Sequence, residues 1–316
     1  MENMAMRGKR VLVTGGTGFV GSHLVEELVN QGAIVMTTCE YLEPGSYFVR
    51  EGLAKKVTAV KADVVDYETV YDLVTRWEAE YIFHLAAQAI VGVAYQNPRR
   101  ALETNVMGTV NVLESARRYG KVRAIVVASS DKAYGTLESG KYRERDPLRG
   151  ENPYDVSKSA ADLITLSYAK TYGVPAAVTR FGNIYGEGDQ NWSRIVPAIL
   201  MSMISGETLE LRSDGKAVRD YLYVKDVVQG YLLLAEKIEQ TKGEAYNFGS
   251  EETLSVIGLI EEMEKVLGKV NYKVLNIAKN EIPYQSLDYE KVKKLGWKPK
   301  YSVVATAKKM LRWYRG

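Results

Sequence analysis

At 316 residues, 46% of them apolar, the chain is long enough for about two domains and can fill the cores of both. Its 42 Lys+Arg against 39 Asp+Glu leave a formal net charge of only +3, with no long run of either sign, which speaks against a dedicated nucleic-acid or membrane surface. The single cysteine, Cys39, excludes an internal disulfide, no stretch reaches the length of a membrane span, and Met1–Arg10 is basic without an apolar core, so no signal peptide and a cytoplasmic location are expected.

From Arg10 to about Thr179, short β-branched runs alternate with helical patterns, the mark of βαβ units and a parallel sheet covered on both faces. Strands are predicted near 9–14, 33–38, 56–61, 80–85, 122–128 and 174–179. Thr14-Gly15-Gly16-Thr17-Gly18-Phe19-Val20-Gly21 lies where the first strand hands over to a helix whose apolar stripe is Leu24, Val25 and Leu28. Gly15 can turn with positive φ, Gly18 lets backbone approach a pyrophosphate, and Gly21 lets helix and strand pack closely, so a dinucleotide is expected at this turn. The acid that holds the adenosine ribose is expected about 20 residues on, at the end of strand two, where Glu40 stands. A carboxylate there can also be simply solvated. No Arg or Lys lies between Ala33 and Val49 to meet a 2′-phosphate, so NAD is preferred to NADP.

Leu102, Val106, Val110 and Leu113 predict one long helix before Gly120, as core or subunit contact. The fifth strand runs into Ser129-Ser130-Asp131-Lys132, at the strand ends where such sheets place ligands. Tyr154 and Lys158 follow, four apart in a helical segment, so both rise from one face and the ammonium can stabilise a phenolate. The pair is weak evidence in a chain with 22 tyrosines, and gains weight from its position. Beyond Gly186 the texture changes to helices near 195–204, 225–237, 255–267 and from 302, with strands near 208–211 and 245–248. The fold expected is α/β: a Rossmann-type doubly wound parallel sheet over residues 1–182, with a smaller α/β substrate-binding lobe over 183–316 and bound substrate between them.

Together these motifs resemble the extended short-chain dehydrogenase/reductases of the nucleotide-sugar epimerase and dehydratase group. The similarity runs from Arg10 to Trp313 through Asp63-Val64, His84-Leu85-Ala86-Ala87-Gln88, Asn105-Val106-Met107-Gly108-Thr109, Pro153-Tyr154 with Lys158, Arg180-Phe181-Gly182-Asn183, Arg219-Asp220-Tyr221 and Leu295-Gly296-Trp297. The resemblance implies a cofactor site of Gly15, Thr17, Gly18, Phe19, Val20, Gly21, Glu40, Asp63, Val64, Leu85, Ala86, Ala87, Gln88, Asn105, Tyr154 and Lys158. It implies that Ser130 assists Tyr154, that Asn183, Arg194, Ile195 and Arg219 hold a nucleotide-diphosphate sugar, that no metal is used, and that the chain is a homodimer. Plainer readings stand beside these: Ser130 as a turn cap, Arg219 as a surface ion pair, His84 as packing.

Epimerases and 4,6-dehydratases of the group share oxidation at C4 of the sugar, but only the dehydratase must also remove the C5 proton and protonate the C6 hydroxyl. The two positions after Ser130 discriminate. Here they are Asp131 and Lys132, similar to CDP-glucose 4,6-dehydratases and to some UDP-N-acetylglucosamine dehydratases, whereas Gly92, Val93 and Ala94 depart from the CDP-glucose pattern. The expectation is a CDP-glucose-like 4,6-dehydratase with Asp131 as acid and Lys132 as base. A UDP-sugar 4-epimerase, a UDP-N-acetylglucosamine dehydratase, and a catalytically silent NAD-binding sensor remain as alternatives.

Overall fold

The computed structural model describes residues 6–137, 140–277 and 282–316; the first five residues of the opening basic segment lie outside them. Val11, Leu12 and Val13 of β1 (Arg10–Thr14) are wholly buried, which an apolar run can satisfy only at the centre of a sheet covered on both faces. β2 (Ile34–Cys39) flanks β1 on one side and β4 (Tyr81–His84) on the other, both parallel, with β3 (Thr58–Lys61) outside β2. Crossing to β5 (Ala124–Ala128) and β6 (Ala176–Phe181) on the far side of β4 reverses the strand order, creating the crevice where open α/β sheets bind ligands. These six strands fall within about two residues of the predicted spans.

A seventh strand, β10 (Ala245–Phe248), joins the outer edge beside β6, giving the order β10-β6-β5-β4-β1-β2-β3. Sequence texture placed that segment with the smaller lobe. Hydrogen bonding puts it in the large sheet, where Glu244 O accepts from the Val178 amide.

Helix α1 (Phe19–Asn30) buries Leu24, Val25 and Leu28 as its stripe requires. The single helix expected around Leu102–Leu113 is interrupted: a turn of π-helix at Glu103–Met107 separates Pro98–Leu102 from α2 (Gly108–Tyr119). Leu102, just before the π-turn, is 40% exposed, while Asn105 within it is buried. Helix α3 (Pro153–Tyr172) opens on a proline, whose missing N–H is no loss there, and is ended by Gly173.

The chain forms two compact units and passes between them more than once: residues 1–135, 147–180 and 228–246 make the first, and 136–146, 181–227 and 247–316 the second. In the second unit β9 (Val218–Tyr223) pairs with β7 (Asn183–Tyr185), β11 (Thr253–Ser255) and β13 (Tyr284–Gln285), and β8 (Leu209–Leu211) pairs with β12 (Tyr272–Val274). No helix among the described residues is long and apolar enough to cross a membrane, and no group of three or more potential metal ligands occurs among them.

Candidate active site

The glycine turn is packed too tightly for a side chain at Gly15 and Gly21. Gly15 has φ +72°, and a Cβ on it would lie 2.7 Å from the Ala86 amide nitrogen; on Gly21 it would lie 2.2 Å from the Gly15 carbonyl. The loop after β4 is thereby pressed against the turn, with the Leu85 amide donating to Thr14 O at 3.1 Å and the Ala86 amide to Thr14 Oγ1 at 3.3 Å. Gly18 precedes α1, is exposed and offers no side-chain cap, so the positive end of the helix is left uncapped beside the half-buried Thr17, Phe19 and Val20. Glu40 follows the last residue of β2, and Asp63 and Val64 follow β3, with Asn111 Nδ2 holding Val64 O at 3.0 Å. A glycine cradle, an uncapped helix end and a strand-end carboxylate make a donor and acceptor set that fits an adenine dinucleotide.

His84 ties this cradle to the π-turn. Its ring bonds Thr14 Oγ1 at 2.7 Å and Thr109 Oγ1 at 3.1 Å, and the Thr109 hydroxyl donates to Asn105 O at 2.7 Å. Burial, with a smaller push from Lys158, drives the imidazole pKa down to about 3, so it is a neutral strut rather than a proton carrier. Asn105 in turn accepts from the Gln88 amide at 2.7 Å and donates to Ser157 Oγ at 2.8 Å, and Ser157 donates to Tyr154 O at 2.6 Å. A relay of short hydrogen bonds thus fixes the first turn of α3, which carries Tyr154, against the loop that lines the cofactor cradle.

Tyr154 is 9% exposed and packs against Ala94 and Ala101. One turn on, Lys158 Nζ donates to Ala128 O, the last carbonyl of β5, at 2.9 Å. Burial pushes this ammonium down to about 8, with nearby Asp162 opposing the shift. From the same strand end, Ser130 Oγ donates to Asp131 Oδ1 at 3.0 Å and accepts from the Lys132 amide at 3.2 Å, capping a short 3₁₀ turn at Asp131–Tyr134. The capping role read for Ser130 is therefore present, alongside its place at the strand end.

That turn is locked to α3 in two ways. Ser159 Oγ donates to both Ala133 O at 2.8 Å and Asp155 O at 3.0 Å, and Tyr134 OH accepts from Arg180, whose guanidinium also makes a two-pronged pair with Asp162 at 2.7 and 2.8 Å. Asp131 is 5% exposed and Lys132 half-buried. Both act on a carboxyl that sequence reading passed over, Asp155, which is 4% exposed and accepts from Asn152 Nδ2 at 3.1 Å. Burial raises the Asp155 pKa above the usual carboxylate range; Lys132 pulls against that rise and Asp131 adds to it. Its only signal in the sequence was adjacency to Tyr154, and an acid in a helix's first turn ordinarily reads as a dipole partner.

The residues expected to hold substrate lie in the second unit. Asn183 on β7 is in register with Tyr221 on β9, and Arg219, two residues before Tyr221, is in register with Gln285 on β13. The four therefore share one sheet face, where Asn183 Nδ2 and both amide atoms of Gln285 are buried without a hydrogen-bond partner. Arg219 donates to Val218 O at 2.7 Å. Arg194 pairs with Asp189 at 3.1 Å, and Ile195, with Trp192, Leu209, Leu211, Arg212 and Ile277, lines a cavity of about 820 Å³.

Comparison with known proteins agrees with this geometry. A sequence model of the GDP-mannose 4,6 dehydratases matches residues 12–310. The CDP-glucose 4,6-dehydratase of Salmonella typhimurium is 31% identical over 329 residues, an alignment spanning 98% of this chain and 91% of that protein. Among solved structures, a UDP-glucose 4-epimerase from Thermotoga maritima with UDP-glucose has TM-score 0.88 at 30% identity, covering 97% of this chain and 98% of that one. The dTDP-glucose 4,6-dehydratase of Bacillus anthracis in complex with NAD has TM-score 0.86 at 28% identity, covering 98% of this chain and 97% of that one. The chain belongs to the GDP-mannose 4,6 dehydratase family, within the extended short-chain dehydrogenase/reductases that act on nucleotide sugars.

Proposed function

We propose that this protein is an NAD-dependent nucleotide-sugar 4,6-dehydratase that converts a nucleoside-diphosphate hexose, CDP-glucose being the first candidate, into its 4-keto-6-deoxy derivative. The observation that carries the reading is the Asp131–Lys132 turn, fastened to the helix of Tyr154 by Ser159 and by the Arg180–Tyr134 contact. NAD, which the Gly15–Gly21 turn, Glu40, Asp63 and Lys158 would hold, would supply the hydride acceptor and donor that a 4,6-dehydration needs. Tyr154 accepts the proton of the 4-hydroxyl, with the Lys158 ammonium favouring its phenolate and Ser130 assisting.

The ketone at C4 acidifies the C5 hydrogen, which Lys132 removes while Asp131 protonates the departing C6 hydroxyl. Adjacent opposite charges alone would hold Asp131 as an anion and Lys132 as a cation, the reverse of these roles. The buried Asp155 bears on the acid half of that conflict: burial raises its pKa and Asp131 adds to the rise, so the two neighbouring carboxyls favour keeping a proton between them.

Asn183, Arg194, Ile195 and Arg219 are assigned to the nucleotide diphosphate, and the cavity lined by Ile195 has the volume a nucleoside needs. We place the enzyme in the cytoplasm as a homodimer, supported by an apolar face on α3 where Val156 and Leu163, seven residues apart, are 40% and 56% exposed. A UDP-sugar 4-epimerase is the second reading, favoured by the likeness to the Thermotoga enzyme. Incubation with CDP-glucose, UDP-glucose, dTDP-glucose and UDP-N-acetylglucosamine, followed by mass spectrometry, decides between them. Loss of water from one substrate is expected; isomerisation at constant mass would establish the epimerase.

A further inference from the structure

No Arg or Lys lies near Glu40 along the chain, yet the fold delivers one from sixty residues away. Arg100, on the short helix Pro98–Leu102, places one guanidinium nitrogen 3.1 Å from Glu40 Oε1 and another 3.0 Å from Asp63 Oδ2. The two carboxylates leave the ends of neighbouring parallel strands, with Cys39 in register with Lys61, so without a cation between them they would repel and splay. The arginine is itself held in place. Asn97 Oδ1 accepts from its amide at 3.1 Å, and its side chain is only 30% exposed, whereas that of Glu40 is 75% exposed. Asp63 is steadied from the other side, its second oxygen accepting from the Val65 amide at 3.0 Å.

We infer that Arg100 is the specificity-determining residue for the adenosine end of the cofactor. Its planar fork sets Glu40 and Asp63 to receive an unmodified ribose diol and the adenine, and it is the cation that would meet a 2′-phosphate if Glu40 lost its charge. Preference for NAD is then a balance struck between Glu40, which repels a 2′-phosphate, and Arg100, which would attract it. This rests on the reading of Glu40 as ribose acceptor and NAD as cofactor.

The test exchanges full-length protein against an equimolar mixture of NAD and NADP, removes unbound nucleotide by gel filtration, and quantifies what is retained by mass spectrometry after denaturation. Wild-type protein retains NAD. Glu40→Gln raises the retained NADP-to-NAD ratio by about tenfold or more, the worth of a charge-assisted hydrogen bond, and adding Arg100→Met to it abolishes that gain. In a second measurement, Arg100→Met and Arg100→Lys both release NAD about tenfold faster, since lysine keeps the charge but cannot grip two carboxylates at once. A double variant that keeps the NADP gain, or substitutions at Arg100 that leave NAD release unchanged in protein with a native circular-dichroism spectrum, overturns the assignment. Wild-type protein that retains neither dinucleotide would instead refute the cofactor reading beneath it.

Discussion

Lys158 carries two demands at once, an interior position and a positive charge. Burial has pushed its pKa from about 10.5 down to about 8, so below pH 8 the folded protein holds a charged ammonium that water would solvate better. Between the folded and unfolded values the unfolded chain binds the extra proton, and stability rises with pH across that window. Lys158→Met should therefore be inactive yet more stable at pH 7, by about 2 kcal/mol once the lost bond to Ala128 O is counted, with the advantage shrinking towards pH 10 in denaturant titrations. Chemistry divides at other residues. Lys132→Ala should still oxidise C4 but stall, accumulating the absorbance of reduced cofactor on mixing with substrate, whereas Tyr154→Phe should give neither reduced cofactor nor product. Normal turnover by Lys132→Ala would move the C5 base elsewhere.

The Asp162–Arg180 pair inside the first unit is the clearest dependence between elements. The Arg180 and Asp162 side chains are 3% and 0% exposed, and the pair fixes the Asp131–Tyr134 turn through Tyr134. Asp162→Ala leaves a guanidinium buried without its counter-charge and should destabilise the fold by about 3–5 kcal/mol in urea titration, while Asp162→Leu with Arg180→Met should recover most of that loss and none of the activity. Six of the seven strands of the sheet were legible in place because apolar runs such as Val11–Val13 and Ile125–Val127 are continuous, as burial on both faces demands. The glycine turn and the Tyr154–Lys158 spacing were legible because each is a local backbone or helix-face requirement. The π-turn was not, since the spacing of Leu102, Val106, Val110 and Leu113 is one that an uninterrupted α-helix would show equally. Nor were Arg100 and Asp155. Their partners come from other strands and turns, and nothing in a linear pattern distinguishes a charge that folds inward from one that stays solvated.

At the scale of the molecule, the exposed apolar face of α3 predicts assembly. If the proposed dimer forms through this face, the protein should sediment as a dimer and Leu163→Asp as a monomer, with the circular-dichroism spectrum unchanged, because Leu163 is 56% exposed and contributes little to its own core. The neutral strut at His84 has a consequence for the whole fold. An imidazole that binds a proton readily once the chain unfolds, but declines it inside until about pH 3, makes mild acid a selective denaturant. Each unit below about pH 6.5 should drain roughly 1.4 kcal/mol from the native state, a slope that His84→Gln would flatten in melting curves recorded from pH 7 to 5. Souring the medium would thus draw down the stability of a fold whose glycine turn and Tyr154 helix are joined through this one uncharged ring.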